Sequence, residues 1–274
     1  MRNTLSLLAV AAAAALSSVP AIAADNFRDF TIDETSVPGT GIIPGLANAA
    51  LVGDKLNGGF TEYVTFTSAT TFSAQAYASI GQIFGSEGTS LVTSLLNSNE
   101  LVGGYRMYAL FDALGTVTGG VNFTGTSASF TLYIDVDSNT TFAGTNGIAP
   151  ITVANNTDDY KIAFSNTLAM PGSGTLASAP GAFNFDFKDF ALTTGDQNAS
   201  IAGVQNGASY FVKPNPFHIL VQVNGDNDQA DGTIPNLLVT GDVSAVFRAP
   251  EPGSLALVGT LLAALGLTSR RRKS

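Results

Sequence analysis

Strict alternation of apolar and polar residues constrains the fold of this chain more than any other sequence feature. It is clearest in residues 130–137, where every second side chain is apolar, and it recurs in residues 60–67 and 183–188. In residues 60–67 the alternation places Glu62 on the same face as Phe60. Such a pattern predicts antiparallel β-strands with one packed face and one solvated face.

The rest of the central region also favours strands separated by tight turns. Aromatic and β-branched runs predict strands at residues 72–79, 105–111, 116–123, 160–164, 210–212, 217–223 and 243–247. Asn-Gly, Asp-Gly and Gly-Gly dipeptides predict turns at Asn57-Gly58-Gly59, Gly119-Gly120, Asn146-Gly147, Asn206-Gly207, Asn224-Gly225 and Asp231-Gly232. About ten strands at this spacing predict an all-β fold, an antiparallel sandwich or jelly roll forming one domain over residues 24–248.

One segment departs from the strand pattern. In residues 90–101, Leu91, Leu95 and Leu96 lie near helical spacing and predict a short surface helix.

Composition narrows the possible functions of this central body. The chain contains no cysteine, so disulfides, thiolate nucleophiles and Cys-metal sites are excluded together. Residues 24–248 carry 20 acidic and 7 basic residues, a net charge near −13 compared with −9 for the whole chain. A body this acidic repels nucleic acid, and we therefore expect no nucleic-acid partner.

The first 23 residues have the order of a cleavable signal peptide. Arg2 supplies a positive charge, an apolar stretch follows, and Ala21-Ile22-Ala23 offers small residues at positions Ala21 and Ala23 for cleavage. Because Asp25 and Asn26 end the apolar run, we expect the mature protein to begin after Ala23.

The last 26 residues, 249–274, predict a membrane-inserted tail. Residues 253–269 carry no charge, and as a helix they would extend roughly 25 Å, slightly less than a ~30 Å hydrocarbon core. The basic residues Arg270, Arg271, Arg272 and Lys273 follow at once and would stay on the cytoplasmic side.

The triplet Pro250, Glu251 and Pro252 stands directly before this apolar segment. Triplet, apolar span and basic cluster together resemble the PEP-CTERM sorting signal of Gram-negative bacteria. The resemblance implies processing by a membrane-embedded exosortase near the triplet, with the tail inserted only transiently in the inner membrane. It also implies export to the cell surface or extracellular matrix, where such proteins associate with exopolysaccharide.

The sequence offers little for catalysis. The only histidine, His218, lies in an apolar run, and no Gly-x-Ser-x-Gly turn presents a serine to it. We therefore interpret His218 as a partly buried strand residue and predict no catalytic residue.

Oxygen-rich segments suggest calcium as a hypothetical cofactor. Asp135, Asp137 and Asn139 have a spacing that can direct three oxygens to one ion, although an EF-hand would need glycine and glutamate where Thr140 and Asn146 stand. The alternative is a solvated loop at the end of a strand.

A second candidate calcium loop, residues 224–232, offers three aspartates, Asp226, Asp228 and Asp231. Asp158 and Asp159 form a third, weaker candidate, and a solvated loop is again the alternative. Extracellular modules bind Ca²⁺ with dissociation constants of about 10⁻⁴ to 10⁻³ M.

A wider resemblance concerns most of the chain. Residues 25–34, 57–63, 135–137 and 241–244, together with both ends, resemble the flocculation-associated PEP-CTERM proteins of activated-sludge bacteria. This implies a non-catalytic protein that promotes cell aggregation with exopolysaccharide. The alternative is a secreted carbohydrate-active enzyme or sugar-binding module, which would need a cleft with facing carboxylates.

Overall fold

The computed structural model describes residues 27–38, 49–96, 104–119, 122–145, 148–175, 181–188, 190–201, 203, 205–214, 220–227, 229–233 and 235–248. The predicted signal segment 1–23, the tail 249–274 and His218 lie outside these residues. Within the described ranges, no helix combines the length and the apolar character needed to cross a membrane.

The described chain is almost entirely β-structure, which confirms the all-β prediction. Its strands are β1 (Phe30–Ile32), β2 (Leu51–Gly53), β3 (Lys55–Phe66), β4 (Thr71–Gly85), β5 (Ser90–Leu91), β6 (Arg106–Thr118), β7 (Asn122–Asp135), β8 (Thr141–Thr145), β9 (Ile148–Ala154), β10 (Tyr160–Ser165), β11 (Thr167–Leu168), β12 (Gly172–Thr175), β13 (Gly181–Lys188), β14 (Ala191–Leu192), β15 (Phe211–Lys213), β16 (Leu220–Asn227), β17 (Gln229–Thr233) and β18 (Asn236–Arg248). A 3₁₀ turn (Glu34–Ser36) and a short helix α1 (Gly207–Tyr210) complete the elements.

One antiparallel sheet contains most of these strands. Its hydrogen-bonded order is β11-β13-β16-β18-β3-β4-β6-β7-β10-β14, with β5 and β17 pairing with β4 and β18. The short strand β12 pairs with both β7 and β13, so it links distant parts of this order. Two small sheets, β15-β1-β2 and the hairpin β8-β9, lie beside it.

Alternate side chains of the long strands meet in one core. In β7, Phe130, Leu132 and Ile134 are buried while Thr131 and Tyr133 are half-buried, which confirms the predicted alternation. The phenylalanines of β13 face rings from strands that are not its sheet neighbours. The T-shaped pairs, with centroid distances, are Phe60–Phe183 at 5.2 Å, Phe111–Phe185 at 5.1 Å and Phe130–Phe187 at 4.8 Å. Because such pairs cross the core, the sheet packs face to face in a sandwich-like way.

Three of the predicted glycine turns are wrong, because Asn57-Gly58-Gly59, Asn224-Gly225 and Asp231-Gly232 lie inside β3, β16 and β17. Asn57-Gly58 lies inside β3 at a β-bulge, where a Cβ on Gly58 would come within 1.9 Å of the Ser79 carbonyl oxygen. Gly225 lies inside β16, where a Cβ would meet the Phe183 ring at 2.2 Å. Both glycines permit close packing rather than a turn.

Two further local predictions need correction. The predicted strand 116–123 is not a single strand, because residues 116–118 end β6, residues 122–123 begin β7, and Gly119 after β6 has a φ of +64°. The predicted helix fails over its described part, which contains β5, irregular backbone with a bend at Leu95, and an isolated bridge at Leu96. The reason is the buried carboxylate of Glu34, which accepts hydrogen bonds from the Ser94 hydroxyl at 2.5 Å and the Leu95 N–H at 2.7 Å.

Candidate functional site

An open groove of mixed polar and apolar lining runs along the outer face of the central strands, and Ala74, Ala113, Leu114 and Ala128 are its apolar residues. Ser73 and Gln75 of β4, Asp112 of β6, and Ser127 and Ser129 of β7 line it, with Asn166 at its side. The groove has a volume of about 660 Å³, and the Gln75 amide donates to the Asp112 carboxylate across its floor at 3.0 Å. Hydroxyl, amide and carboxylate groups thus line an open surface with both donors and acceptors.

The β8-β9 hairpin packs on this same outer face. Phe142 stacks on Tyr77 at a centroid distance of 4.5 Å, and the Tyr63 hydroxyl donates to the Gly144 carbonyl at 3.2 Å. Gly144 is needed because a Cβ there would meet the Tyr63 ring at 2.3 Å. The Ile151 N–H also donates to the Gln75 amide oxygen at 3.3 Å, so Gln75 links the hairpin to the groove.

Three carboxylates converge at the end of the sheet. Asp135 is the last residue of β7, and Asp158 and Asp159 directly precede β10, its antiparallel neighbour. Since Tyr160 pairs with Ile134, the end of one strand and the start of the other lie side by side. One carboxylate oxygen from each aspartate lies within 4.8 Å of the others; we call this group the aspartate cluster.

Backbone and side-chain donors hold two members of the aspartate cluster in place. The two oxygens of Asp135 accept from the N–H groups of Asn139 at 3.2 Å and Thr140 at 3.1 Å. Asp158 accepts from the Asp137 N–H at 3.1 Å and from the Asn139 side-chain amide at 3.4 Å. These bonds shape the loop between β7 and β8, in which Ser138 adopts a φ of +55°.

Asp159 is the most unusual member because one of its oxygens lacks a partner. The side chain is 8% exposed, and its Oδ2 accepts from the Tyr108 hydroxyl at 2.5 Å and the Thr140 hydroxyl at 2.7 Å. Its Oδ1 is buried and makes no hydrogen bond within the described part of the chain. The Ser138 hydroxyl, 7% exposed in the adjoining loop, is also buried without a partner there.

Burial dominates the electrostatics of the aspartate cluster. It raises the pKa of Asp159 to about 6, against the hydrogen bonds from Tyr108 and Thr140, and the charges of Asp135 and Asp158 raise the pKa further. Burial likewise raises the pKa of Asp135, while the N–H donors and Arg106 on the neighbouring strand lower it. The site therefore resists the accumulation of negative charge unless a cation compensates it.

The predicted calcium ligands have different positions in the structure. Asp137 and Asn139 lie beside the aspartate cluster, where an N–H of Asp137 and the amide of Asn139 donate to Asp158. In the second predicted loop, Asp226 pairs with Ala182 in β16 and Asp231 pairs with Leu238 in β17, whereas Asp228 lies outside the described residues.

Sequence reasoning treated Asp158 and Asp159 as separate from Asp135. Asp135 lies 23 and 24 positions before Asp158 and Asp159, so only the pairing of β7 with β10 brings it to them. A signal was nevertheless present, because Asp135 lies near the end of one predicted strand, Asp158 and Asp159 come just before another, and strand ends meet at sheet edges.

A further carboxylate lies inside the core. Glu62, on the inner face of β3, lines a cavity of about 70 Å³ together with apolar side chains that include Ala76, Phe130 and Phe185. Burial raises the pKa of Glu62 to about 7. The predicted placement of Glu62 on the face of Phe60 is confirmed, since Phe60 lines the same cavity.

No family model, no curated protein and no solved structure matches this chain.

Proposed function

We propose that the protein is an exported, non-catalytic surface protein that associates with exopolysaccharide and promotes cell aggregation in flocs or biofilms. The single observation that carries this proposal in the folded body is the open groove on its outer face, along which hydroxyl, amide and carboxylate side chains are exposed. The signals at the two ends of the sequence and the acidic composition agree with it.

Under this proposal the two ends direct export. The signal segment 1–23 would be removed after Ala23, and an exosortase would cleave near Pro250-Glu251-Pro252 while Arg270–Lys273 stay on the cytoplasmic side. The body, residues 24–248, is then a single sandwich or jelly-roll domain released to the surface or matrix of a Gram-negative bacterium.

The groove suits a long polar polymer. Asp112 and Gln75 are a hydrogen-bonded pair on an exposed surface, and such a pair can accept from and donate to the hydroxyls of a sugar. Each contact contributes only about 1 kcal/mol, so one groove binds weakly. Many protein copies on one polysaccharide chain would convert weak contacts into stable aggregates through multivalency.

The alternative function is a carbohydrate-active enzyme, and the raised pKa of Asp159 is the observation that favours it. A glycosidase acid must reach the glycosidic oxygen of its substrate. The free oxygen of Asp159 is buried, so a glycan in the groove or on the surface has no access to it. We therefore rank the enzyme second, and release of reducing ends from the purified exopolysaccharide would support it.

Processing is tested by intact mass and fractionation of the native protein in the parent strain and in a strain lacking exosortase. The proposal predicts an extracellular product that ends near Pro250 in the parent and a retained tail in the mutant. A tail that survives in the inner membrane of the parent strain would contradict the sorting role.

The groove is tested by cosedimentation with exopolysaccharide extracted from the host culture, with alginate and dextran as acidic and neutral probes. Asp112→Ala should weaken binding about 10-fold, as expected for loss of one or two hydrogen bonds. The matched control is Asp242→Ala, because Asp242 is an exposed aspartate of β18 that does not line the groove. Equal binding by the two variants would reject the groove as the binding surface.

A further inference from the structure

We propose that the aspartate cluster of Asp135, Asp158 and Asp159 is a binding site for one Ca²⁺ ion. The geometry of the cluster favours a cation whether or not the function proposed above is correct. The choice of Ca²⁺ among hard cations rests on the proposed export, since extracellular fluids hold this ion at millimolar concentration.

The spacing of the three carboxylates fits a single ion. Ca²⁺ binds oxygen ligands at about 2.3 to 2.6 Å, so two ligands on opposite sides of the ion lie about 4.8 Å apart. One carboxylate oxygen of each aspartate lies within 4.8 Å of the corresponding oxygens of the other two. All three can therefore contact the same ion without a large movement of the strands that carry them.

Unpartnered buried oxygens provide a second, independent indication of a ligand. Asp159 Oδ1 is buried without a hydrogen bond in the described residues, and the Ser138 hydroxyl in the adjoining loop shares this property. Leaving a buried acceptor unsatisfied is unfavourable, and more so for a charged group. A cation at the cluster would satisfy the free oxygen of Asp159 and remove this cost.

The charge balance also favours a cation. Among the described residues, no lysine or arginine forms an ion pair with the three carboxylates. Arg106 lowers the pKa of Asp135 through its charge, but its effect is the smallest of those on that side chain. Three carboxylates this close repel one another when ionised. A divalent ion would neutralise two of the three charges.

The ligand set favours Ca²⁺ over other metals. The cluster offers only oxygen, which excludes the nitrogen and sulfur ligands that zinc and copper prefer. Mg²⁺ keeps most of its waters and uses one or two carboxylates, whereas Ca²⁺ accepts several carboxylates in a flexible geometry. The N–H donors on Asp135 and Asp158 fix the orientation of these ligands, as outer-shell partners do in established sites.

The test uses the full chain, purified and freed of metal with a chelator, and measures thermal unfolding during a CaCl₂ titration. With a dissociation constant of about 10⁻⁴ to 10⁻³ M, about 10 mM CaCl₂ should raise the unfolding midpoint by about 3 to 10 °C. MgCl₂ at the same concentration should give a clearly smaller shift. Terbium, which replaces calcium, should luminesce through Tyr108, whose hydroxyl lies 2.5 Å from Asp159.

Asp159→Asn is the decisive variant because it removes a charge and keeps the side-chain shape. We expect it to weaken Ca²⁺ binding at least 10-fold, while the metal-free variant unfolds at the same temperature as the metal-free wild type or higher. Asp242→Asn, which removes an exposed aspartate of β18, should bind Ca²⁺ like the wild type. If Asp159→Asn does not fold, Asp158→Asn, at a half-buried position, gives the same comparison.

The outcomes separate this inference from the proposed function. A wild-type midpoint that does not respond to CaCl₂, or an Asp159→Asn variant with unchanged affinity, would overturn the calcium site. Ca²⁺ binding that is lost in Asp159→Asn would establish the site even if the protein bound no polysaccharide, and in that case only the proposed function would fail.

Discussion

Glu62 offers the sharpest prediction about stability, because its carboxyl faces an apolar cavity in the core. Its cavity of about 70 Å³ is otherwise lined by aliphatic and aromatic side chains. Burial is the cause that raises its pKa to about 7 from the ordinary 4.5. The folded protein thus holds a proton that the unfolded chain releases at a lower pH.

The sign of the resulting pH dependence follows from this difference. The contribution of Glu62 to the free energy of unfolding is most favourable below pH 4.5, where both the folded and the unfolded state hold the proton. This contribution is lost as the pH rises towards 7. Each pKa unit corresponds to about 1.4 kcal/mol, so the loss reaches about 3 kcal/mol above pH 7. Glu62→Gln keeps the shape without ionising, and it should therefore be about 3 kcal/mol more stable than the wild type at pH 8 and nearly equal to it at pH 4.

The measurement is urea unfolding of the full chain at pH 4, 6 and 8 for the wild type and the variant. Glu87→Gln is the matched control, because Glu87 is exposed and its replacement should change stability by less than about 0.5 kcal/mol at every pH. The reasoning is refuted if the difference between Glu62→Gln and the wild type does not grow with pH.

Two further predictions concern packing and the aspartate cluster. Gly58→Ala should lower the free energy of unfolding by at least about 2 kcal/mol, because the new Cβ would meet the Ser79 carbonyl. Gly59→Ala, whose new Cβ would have its nearest neighbour 3.7 Å away, should leave the unfolding midpoint within a few degrees of the wild type. Equal midpoints for the two variants would contradict the bulge geometry. Tyr108→Phe removes a hydrogen-bond donor to the Asp159 carboxylate. It should lower the free energy of unfolding, measured with urea at pH 8, by about 1.5 to 3 kcal/mol. A variant as stable as the wild type would show that this hydrogen bond contributes nothing to stability.

The fold class could be predicted from the sequence because period-two alternation reports directly on burial. Phe130, Leu132 and Ile134 are buried as the pattern predicts, and Glu62 lies on the inner face as its position in the alternation requires. The pattern is local, since each strand carries its own signal in neighbouring residues.

Glycine was the least reliable guide. A glycine after asparagine, aspartate or another glycine marks either a turn or a place where another group approaches the backbone. Sequence alone does not distinguish the two. Gly225 illustrates the second case, because the ring that requires it belongs to Phe183 on the neighbouring strand β13. The helix predicted from Leu91, Leu95 and Leu96 failed for a similar reason, since the carboxylate that accepts from the Leu95 N–H comes from Glu34, 61 residues away.

The aspartate cluster shows what local patterns cannot supply. The spacing of Asp135, Asp137 and Asn139 suggested a site within one loop, but the structure brings Asp135 to the side of Asp158 and Asp159 through the pairing of β7 with β10. That pairing is specified by the core, because a one-residue slip of β10 would turn the fully buried Ile162 away from its neighbours. The same slip would move Asp159 away from Tyr108 and Asp135 and scatter the three carboxylates. The register that buries the apolar residues of β10 therefore also assembles the acidic site, so the two cannot be changed independently.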